Sequence, residues 1–329
     1  MSFEKSLNQY MAEEIKAGRH VGLALATFRN GKDRFFNYGT SSGADLTEEN
    51  YFEIASLSKV FTSILILRLE DEGYFSLEDY IDSYFPEFGK PGQATIASLL
   101  THTSGLEREP ANFQFIAPQN SYSAYTDQML LDDLKSVAIN IGNIGRFTYS
   151  NYGYILLGLL ARRVTGNPKF SSLLTEKVLH PLGLSEMRFE LTGEQKEKIC
   201  LGHTENLEPV EPYMDLGETF SSAGALIATT KELLNACKLF LAPNLIDIPL
   251  RNPVQQLFRI APDKDGSPIS LGFHIRKVED EVVFYHAGDI AGHKCCFMIS
   301  PKRNEALAYN TSTLSHVRNV WDLFFEEHD

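Results

Sequence analysis

Strand-like segments stand at both ends of this chain and helical periodicity fills the middle, so the two ends must meet in one sheet. Near the N-terminus, Val21 to Phe28 is apolar. Arg29-Asn30-Gly31-Lys32 then supplies an Asn-Gly turn, and Asp33 to Tyr38 returns as a second strand. Ahead of this hairpin, Phe3, Leu7, Tyr10, Met11 and Ile15 recur at helical spacing across residues 2–17. Late in the chain, Ser270 to Lys277, Val282 to His286, Lys294 to Ser300 and Ala306 to Asn310 are short and apolar or alternating. The turns between them are brief (Asp280-Glu281 and Pro301 to Asn304), which implies antiparallel pairing. Leu314 to Glu327 closes the chain as an amphipathic helix carrying the only tryptophan, Trp321.

Between these ends the spacing predicts helices over Lys59 to Glu72, Ile96 to Thr101, Asn151 to Thr165, Phe170 to Leu179 and Thr230 to Leu241. Gly73, Gly166-Asn167-Pro168 and Pro181-Leu182-Gly183 stop three of them. Residues 106–146 are irregular and polar. The expected class is therefore α+β: an antiparallel sheet flanked by terminal helices, with a mostly helical inserted subdomain. Residues 1–329 form one domain of two interdependent parts. The α/β part covers about 1–58 and 243–329, and the helical part about 59–242. There is no internal repeat.

Composition narrows the function classes. The formal net charge of -13 makes the chain a poor general binder of nucleic acid or anionic lipid. No apolar run of about 18 residues is present, so no membrane helix is expected. The N-terminus has no basic segment followed by an apolar one, so the expected setting is the cytoplasm. Cys200, Cys237, Cys295 and Cys296 match no zinc spacing and are read as reduced thiols. Cys295 and Cys296 are neighbours whose side chains would point to opposite faces of a strand.

Three short patterns carry chemistry. In Ser56-Leu57-Ser58-Lys59, positions i and i+3 share a helix face, which brings the lysine ammonium near the serine hydroxyl. A serine hydroxyl is a weak nucleophile and needs an adjacent base. A lysine serves as one when burial and neighbouring cations depress its pKa. Free amides of the first helical turn offer an oxyanion donor. Alone, Ser-x-x-Lys is common. Tyr149-Ser150-Asn151 precedes a helix. Ser150 or Asn151 suits a helix cap there, whereas Tyr149 suits proton transfer to and from Ser56, with Asn151 holding Lys59 and the substrate. His286-Ala287-Gly288 ends a late strand, where glycine lets substrate lie against the edge.

The order Ser-x-x-Lys, Tyr-x-Asn, His-x-Gly resembles the serine β-lactamase and penicillin-binding-protein superfamily. The chain looks most similar to its class C β-lactamase-like branch of esterases, D-aminopeptidases and acyltransferases. The resemblance spans Phe52 to Thr62, Leu99-Leu100-Thr101-His102-Thr103-Ser104-Gly105-Leu106, Phe147 to Tyr154, Pro181-Leu182-Gly183-Leu184 and Ser221-Ser222-Ala223-Gly224. It implies Ser56 as the acylated nucleophile, with Lys59 and Tyr149 sharing general-base and general-acid work. Asn151, His286, Gly288 and Asp289 would support the site or bind substrate. The backbone N–H groups of Ser56 and Asp289 would form the oxyanion hole. His102 is implied to be framework.

The third motif departs from the Lys-Thr-Gly pattern. Ala287 removes a hydroxyl, and Asp289 adds a negative side chain that disfavours an anionic ligand. The expected function is a cytoplasmic serine hydrolase acting on a small ester, amide or peptide, without a metal or organic cofactor. A D-amino-acid peptidase or amidase and an acyltransferase are the alternatives of the same fold. A catalytically inactive scaffold is the alternative of a different class. Nothing in the pattern sets an oligomeric state.

Overall fold

The computed structural model describes residues 3–41, 43–114, 122–210, 216–315, 317 and 320–325. Helix α1 (Phe3–Lys16) leads into strands β1 (Gly22–Arg29), β2 (Lys32–Ser41), β3 (Ala44–Asp45) and β4 (Tyr51–Glu53). The middle holds α2 (Ser58–Asp71), α3 (Ile96–Leu100), α4 (Asp127–Leu134), α5 (Asn151–Thr165), α6 (Phe170–Leu174) and α7 (Gly193–Lys196). The ribbon β5 (Gly202–His203) and β6 (Pro209–Val210) precedes α8 (Gly217–Gly224), β7 (Ile227–Thr229), α9 (Thr230–Leu241) and α10 (Ile248–Leu257). The chain ends through β8 (Ala261–Pro262), β9 (Pro268–Ile269), β10 (His274–Val278), β11 (Glu281–Ile290), β12 (His293–Ser300), β13 (Glu305–Thr311) and α11 (Val320–Phe325).

The chain ends do meet. β1 pairs antiparallel with β13, Leu23 opposite Thr311 and Phe28 opposite Ala306. The resulting seven-stranded sheet runs β10-β11-β12-β13-β1-β2-β3. Alternation sorts its side chains. Leu23, Leu25, Cys296 and Met298 face a core that includes Phe3, Leu7 and Met11 of α1 and Phe324 of α11. Ala26, Cys295, Phe297 and Ile299 face the larger central core. Cys295 and Cys296 thus lie on opposite faces, and all four cysteines are free and buried. The hairpin turn places Asn30 (φ 51°) and Gly31 (φ 70°) in the left-handed region that an Asn-Gly pair tolerates best.

Helix α2 is the buried axis. Every residue from Ser58 to Leu67 is buried, so it has no polar face, as expected for a helix packed on all sides. Each large apolar side chain it buries stabilises the fold by roughly 1.5–3 kcal/mol. Helix α5 is capped by Ser150, whose hydroxyl accepts from the N–H of Gly153 at 3.0 Å. Gly166 ends it at φ 70°.

Some boundaries differ from the sequence expectation. β10 starts at His274 rather than Ser270, because the Ser270 hydroxyl closes a turn onto the backbone of Phe273 at 2.9 and 3.2 Å. β11 runs on past His286 to Ile290, which carries the third motif along a strand edge. The helix expected over Phe170 to Leu179 widens into a π-turn from Thr175. Of the helix expected over Leu314 to Glu327, the described part is Val320–Phe325, and the side chain of Trp321 lies outside the described residues. Helix α9, grouped above with the helical part, packs on β1, β12 and β13, while α10, grouped with the sheet, packs on α2. The division near residue 242 is therefore crossed by packing in both directions.

Candidate active site

Ser56 sits in a 3₁₀ turn (Ala55–Leu57) between β4 and α2. The turn is tight: Ala55 has φ 45°, a conformation that costs a non-glycine residue of order 1–3 kcal/mol. Ser58 holds it closed. Its hydroxyl donates to the carbonyl of Ala55 at 2.7 Å and accepts from the N–H of Leu226 at 3.1 Å. From behind, the Cys295 thiol donates to the carbonyl of Ile54 at 3.0 Å.

Two side chains converge on the Ser56 hydroxyl. Lys59 Nζ lies 3.1 Å from Oγ, and Tyr149 Oη donates to Oγ at 2.8 Å. Lys59 is fully buried (0% exposed) and also donates to the carbonyl of Ala223 at 2.5 Å. Its ammonium lies 5.2 Å from the centre of the Tyr149 ring. Burial lowers the Lys59 pKa to about 7; Glu109 opposes the shift and Arg108 adds to it. Burial pushes Tyr149 up to about 12, against the lowering effect of its bond to Ser56 and of Arg108. At neutral pH the phenol is therefore a proton donor, and a large share of Lys59 is a free amine.

The other expected residues arrive at the same place with different partners. Asn151 does not bond to Lys59. Its carboxamide donates to Glu109 at 2.6 Å, because the acceptors in reach of Lys59 are Ser56 and Ala223. His286 is buried (1% exposed), with Nδ1 2.9 Å from the carbonyl of Ala287 and its ring 4.7 Å from that of His274. Burial holds His102 and His286 well below the usual imidazole range and His274 at about 4, so all three are neutral. The Asp289 side chain is 59% exposed and lies 3.2 Å from Lys294 Nζ. Lys294 is buried and Asp289 half in solvent, and the pair offsets the charge assigned to Asp289 above.

Gly288 explains why the third motif ends in glycine. A Cβ there would lie 2.6 Å from the carbonyl of Ile54, 2.9 Å from the N–H nitrogen of Ser56 and 3.0 Å from Ala55 Cβ. The strand edge thus packs directly on the nucleophile turn. Gly288→Ala is expected to push β11 off Ser56, destabilise the fold by roughly 1–3 kcal/mol, and lower kcat by at least about tenfold. Thermal unfolding and ester kinetics on the same sample check this; an unchanged kcat would mean the strand edge plays no part in the reaction.

Ser56 opens onto a cavity of about 140 Å³ whose wall includes Arg108, Glu109, Tyr122, Asn151 and Asp289. A larger cavity of about 420 Å³ adjoins it and shares Leu216, Gly224 and Ile290. Sequence reasoning missed Ser58, Ala223, Arg108, Glu109 and His274. Ser58 and Ala223 lie inside segments already singled out, but one acts through a backbone clamp and the other through a carbonyl. Arg108, Glu109 and His274 carried no spacing signal. Of the irregular stretch 106–146, residues 115–121 lie outside the described residues.

The family description Beta-lactamase matches residues 7–322. The chain belongs to the beta-lactamase family. Among solved structures it is similar to a beta-lactamase/D-alanine carboxypeptidase from Pseudomonas syringae (19% identity, TM-score 0.83, 98% of each chain covered). It is also similar to the D-alanine carboxypeptidase AmpC from Burkholderia cenocepacia (18% identity, TM-score 0.80, covering 98% of this chain and 97% of that one). At such identity these likenesses bear on the beta-lactamase fold alone. Among curated relatives, protein flp of Staphylococcus aureus strain MW2 is 24% identical over 316 residues, 92% of this chain and 61% of the relative. Beta-lactamase-like protein 2 of Dictyostelium discoideum is 26% identical over 265 residues, 76% of this chain and 47% of the relative. The chain thus spans about half to three-fifths of the curated relatives it matches. Among the described residues, no helix is long and apolar enough to cross a membrane.

Proposed function

We propose that this beta-lactamase-family protein is a serine hydrolase that forms an acyl-enzyme on Ser56 with small esters, amides or peptides. The observation that carries the reading is the placement of Lys59 Nζ and Tyr149 Oη at 3.1 and 2.8 Å from one hydroxyl oxygen. Neutral Lys59 accepts the Ser56 proton as Oγ attacks the acyl carbon. The N–H groups of Ser56 and Asp289 stabilise the oxyanion. Tyr149 donates its proton to the leaving group and is reprotonated from Lys59. Water then attacks the ester, with the proton path reversed.

A second substrate reading has its own support. Glu109 lines the cavity at Ser56 beside Arg108, while Asp289 is paired with Lys294, so the wall carries both signs and offers an acyl donor's free amine the Glu109 carboxylate as partner. His286, held neutral, offers a β-lactam carboxylate no cation at the third motif, so weak β-lactam turnover is expected. Four free thiols support a reducing, cytoplasmic setting.

Intact mass after incubation with a fluorophosphonate tests the acyl-enzyme: one adduct per chain is expected, and no adduct with no ester turnover would sink the reading. The pH dependence gives a second expectation. Ester kcat/KM should rise with pH through about 7, as Lys59 loses its proton, because this ratio reports groups of the free enzyme. Tyr149→Phe should cut kcat about 10²–10⁴-fold while leaving that acid limb in place. A limb absent from wild type would remove Lys59 from the role of base.

A further inference from the structure

The segment Thr101-His102-Thr103-Ser104-Gly105 bears on the site through one side chain. His102 has φ 58° and is buried, at the turn that follows α3. Its backbone carbonyl accepts the N–H of Thr148 at 2.7 Å. Its ring nitrogen Nδ1 accepts the N–H of Ser150 at 3.0 Å. One residue therefore grips the chain on both sides of Tyr149. The imidazole also lies against the Tyr149 ring, with centroids 4.6 Å apart and planes 30° apart. The Tyr154 ring at 5.0 Å and 35° and the edge-on Phe147 ring at 5.6 Å also pack against it. Tyr154 is itself tied down, with Oη at 3.0 Å from the carbonyl of Leu100 and 3.0 Å from Ser63 Oγ.

We infer that His102 is a positioning residue that sets the Tyr149 hydroxyl on Ser56, acting as a neutral hydrogen-bond acceptor and a stacking plate. This deepens the acyl-enzyme reading and rests on it. Three features of His102 fit the task. Nδ1 must be unprotonated to accept from Ser150, which places the ring proton on Nε2. Burial opposes a charge on the ring, and Lys59 and His274 add to that, so the acceptor persists through neutral pH. The ring is packed against Tyr149, Tyr154 and Phe147, which leaves Tyr149 no room to move toward it. A short side chain in its place would leave the loop carrying Tyr149 without its backbone hook and with a void against the ring. Proton transfer depends steeply on such placement: an error of about 1 Å costs on the order of 100-fold.

The test is a double-mutant cycle read by p-nitrophenyl butyrate kinetics, with fluorophosphonate labelling of wild type beside it. His102→Ala removes both contacts and should lower kcat roughly 100-fold with KM changed less than about threefold. His102→Asn tolerates the positive φ and returns an acceptor near the Nδ1 position, so it should recover about tenfold of that loss. In a Tyr149→Phe background the same changes should cost almost nothing, because the hydroxyl they place is gone. A loss of kcat that is equally large in the Tyr149→Phe background, or no loss at all, would overturn the inference while leaving a labelled Ser56 intact. If His102→Ala does not fold, the Asn variant in both backgrounds decides by the same criterion. A wild type that takes no label and turns over no ester overturns the acyl-enzyme reading and this inference together.

Discussion

Ser56→Ala should lose ester turnover by a factor of about 10⁴ or more and take no fluorophosphonate adduct, while keeping its fold. The size follows from the geometry. Lys59 and Tyr149 meet at the Ser56 oxygen, the hydroxyl that both contact among the described residues. Removing that oxygen removes what both of them act on, and residues acting as a unit do not share the loss additively. Stability should change little. The turn around Ser56 is held by Ser58, by the Ile54–Leu226 backbone pair and by the Gly288 contact, none of which uses the Ser56 hydroxyl. Intact mass and thermal unfolding of the same preparation check both halves. A residual adduct in the alanine variant would move the nucleophile elsewhere.

Lys59→Met should separate activity from stability in opposite directions. Activity should fall about 10²–10⁴-fold, since the Ser56 proton loses its acceptor. Stability should depend on pH in a defined way. In the unfolded chain the lysine titrates near 10.5, and in the native protein near 7, because burial opposes its charge. Between these values the unfolded chain holds a proton that the native protein lacks. Wild-type stability therefore rises with pH across that window, and the penalty for a buried ammonium is complete below about 7. A methionine fills the same space without a charge. At pH below 7 the variant should be the more stable protein, by roughly 1–4 kcal/mol. At about pH 10.5 the penalty is gone, and what remains is the variant's lost hydrogen bond to the carbonyl of Ala223, worth roughly 1–3 kcal/mol. The order of unfolding temperatures should then invert. A difference that stays constant with pH would show that Lys59 is not the depressed group.

Much of the fold was legible because its cause is local. The Asn-Gly turn, the strand pattern of β12 and β13, the apolar run Ile64 to Leu67 of α2 and the Ser150 and Gly166 ends of α5 are each set by a few neighbouring residues. The meeting of the chain ends followed from strand signals at both of them. The nucleophile, the lysine and the tyrosine were legible for another reason. Ser56 and Lys59 share a helix turn, and Tyr149 stands next to a helix cap, so local geometry limits where each side chain points.

Contacts between distant segments belong to the tertiary structure. The sequence placed Asn151 beside Lys59, but packing brought up Glu109 and gave Asn151 another partner. It offered no reason for Ala223 to supply a carbonyl to Lys59, since a backbone contact requires no particular side chain, and it gave Gly288 as a bare strand edge without showing that the edge closes on Ser56. The sequence by itself determined which residue types stand ready: a hydroxyl, an amine, a phenol and a run of strands to carry them. Only the folded chain decided their charge states. A depressed lysine and a neutral histidine cluster arise from water excluded by segments far apart in the chain, and that exclusion has no counterpart in any local pattern.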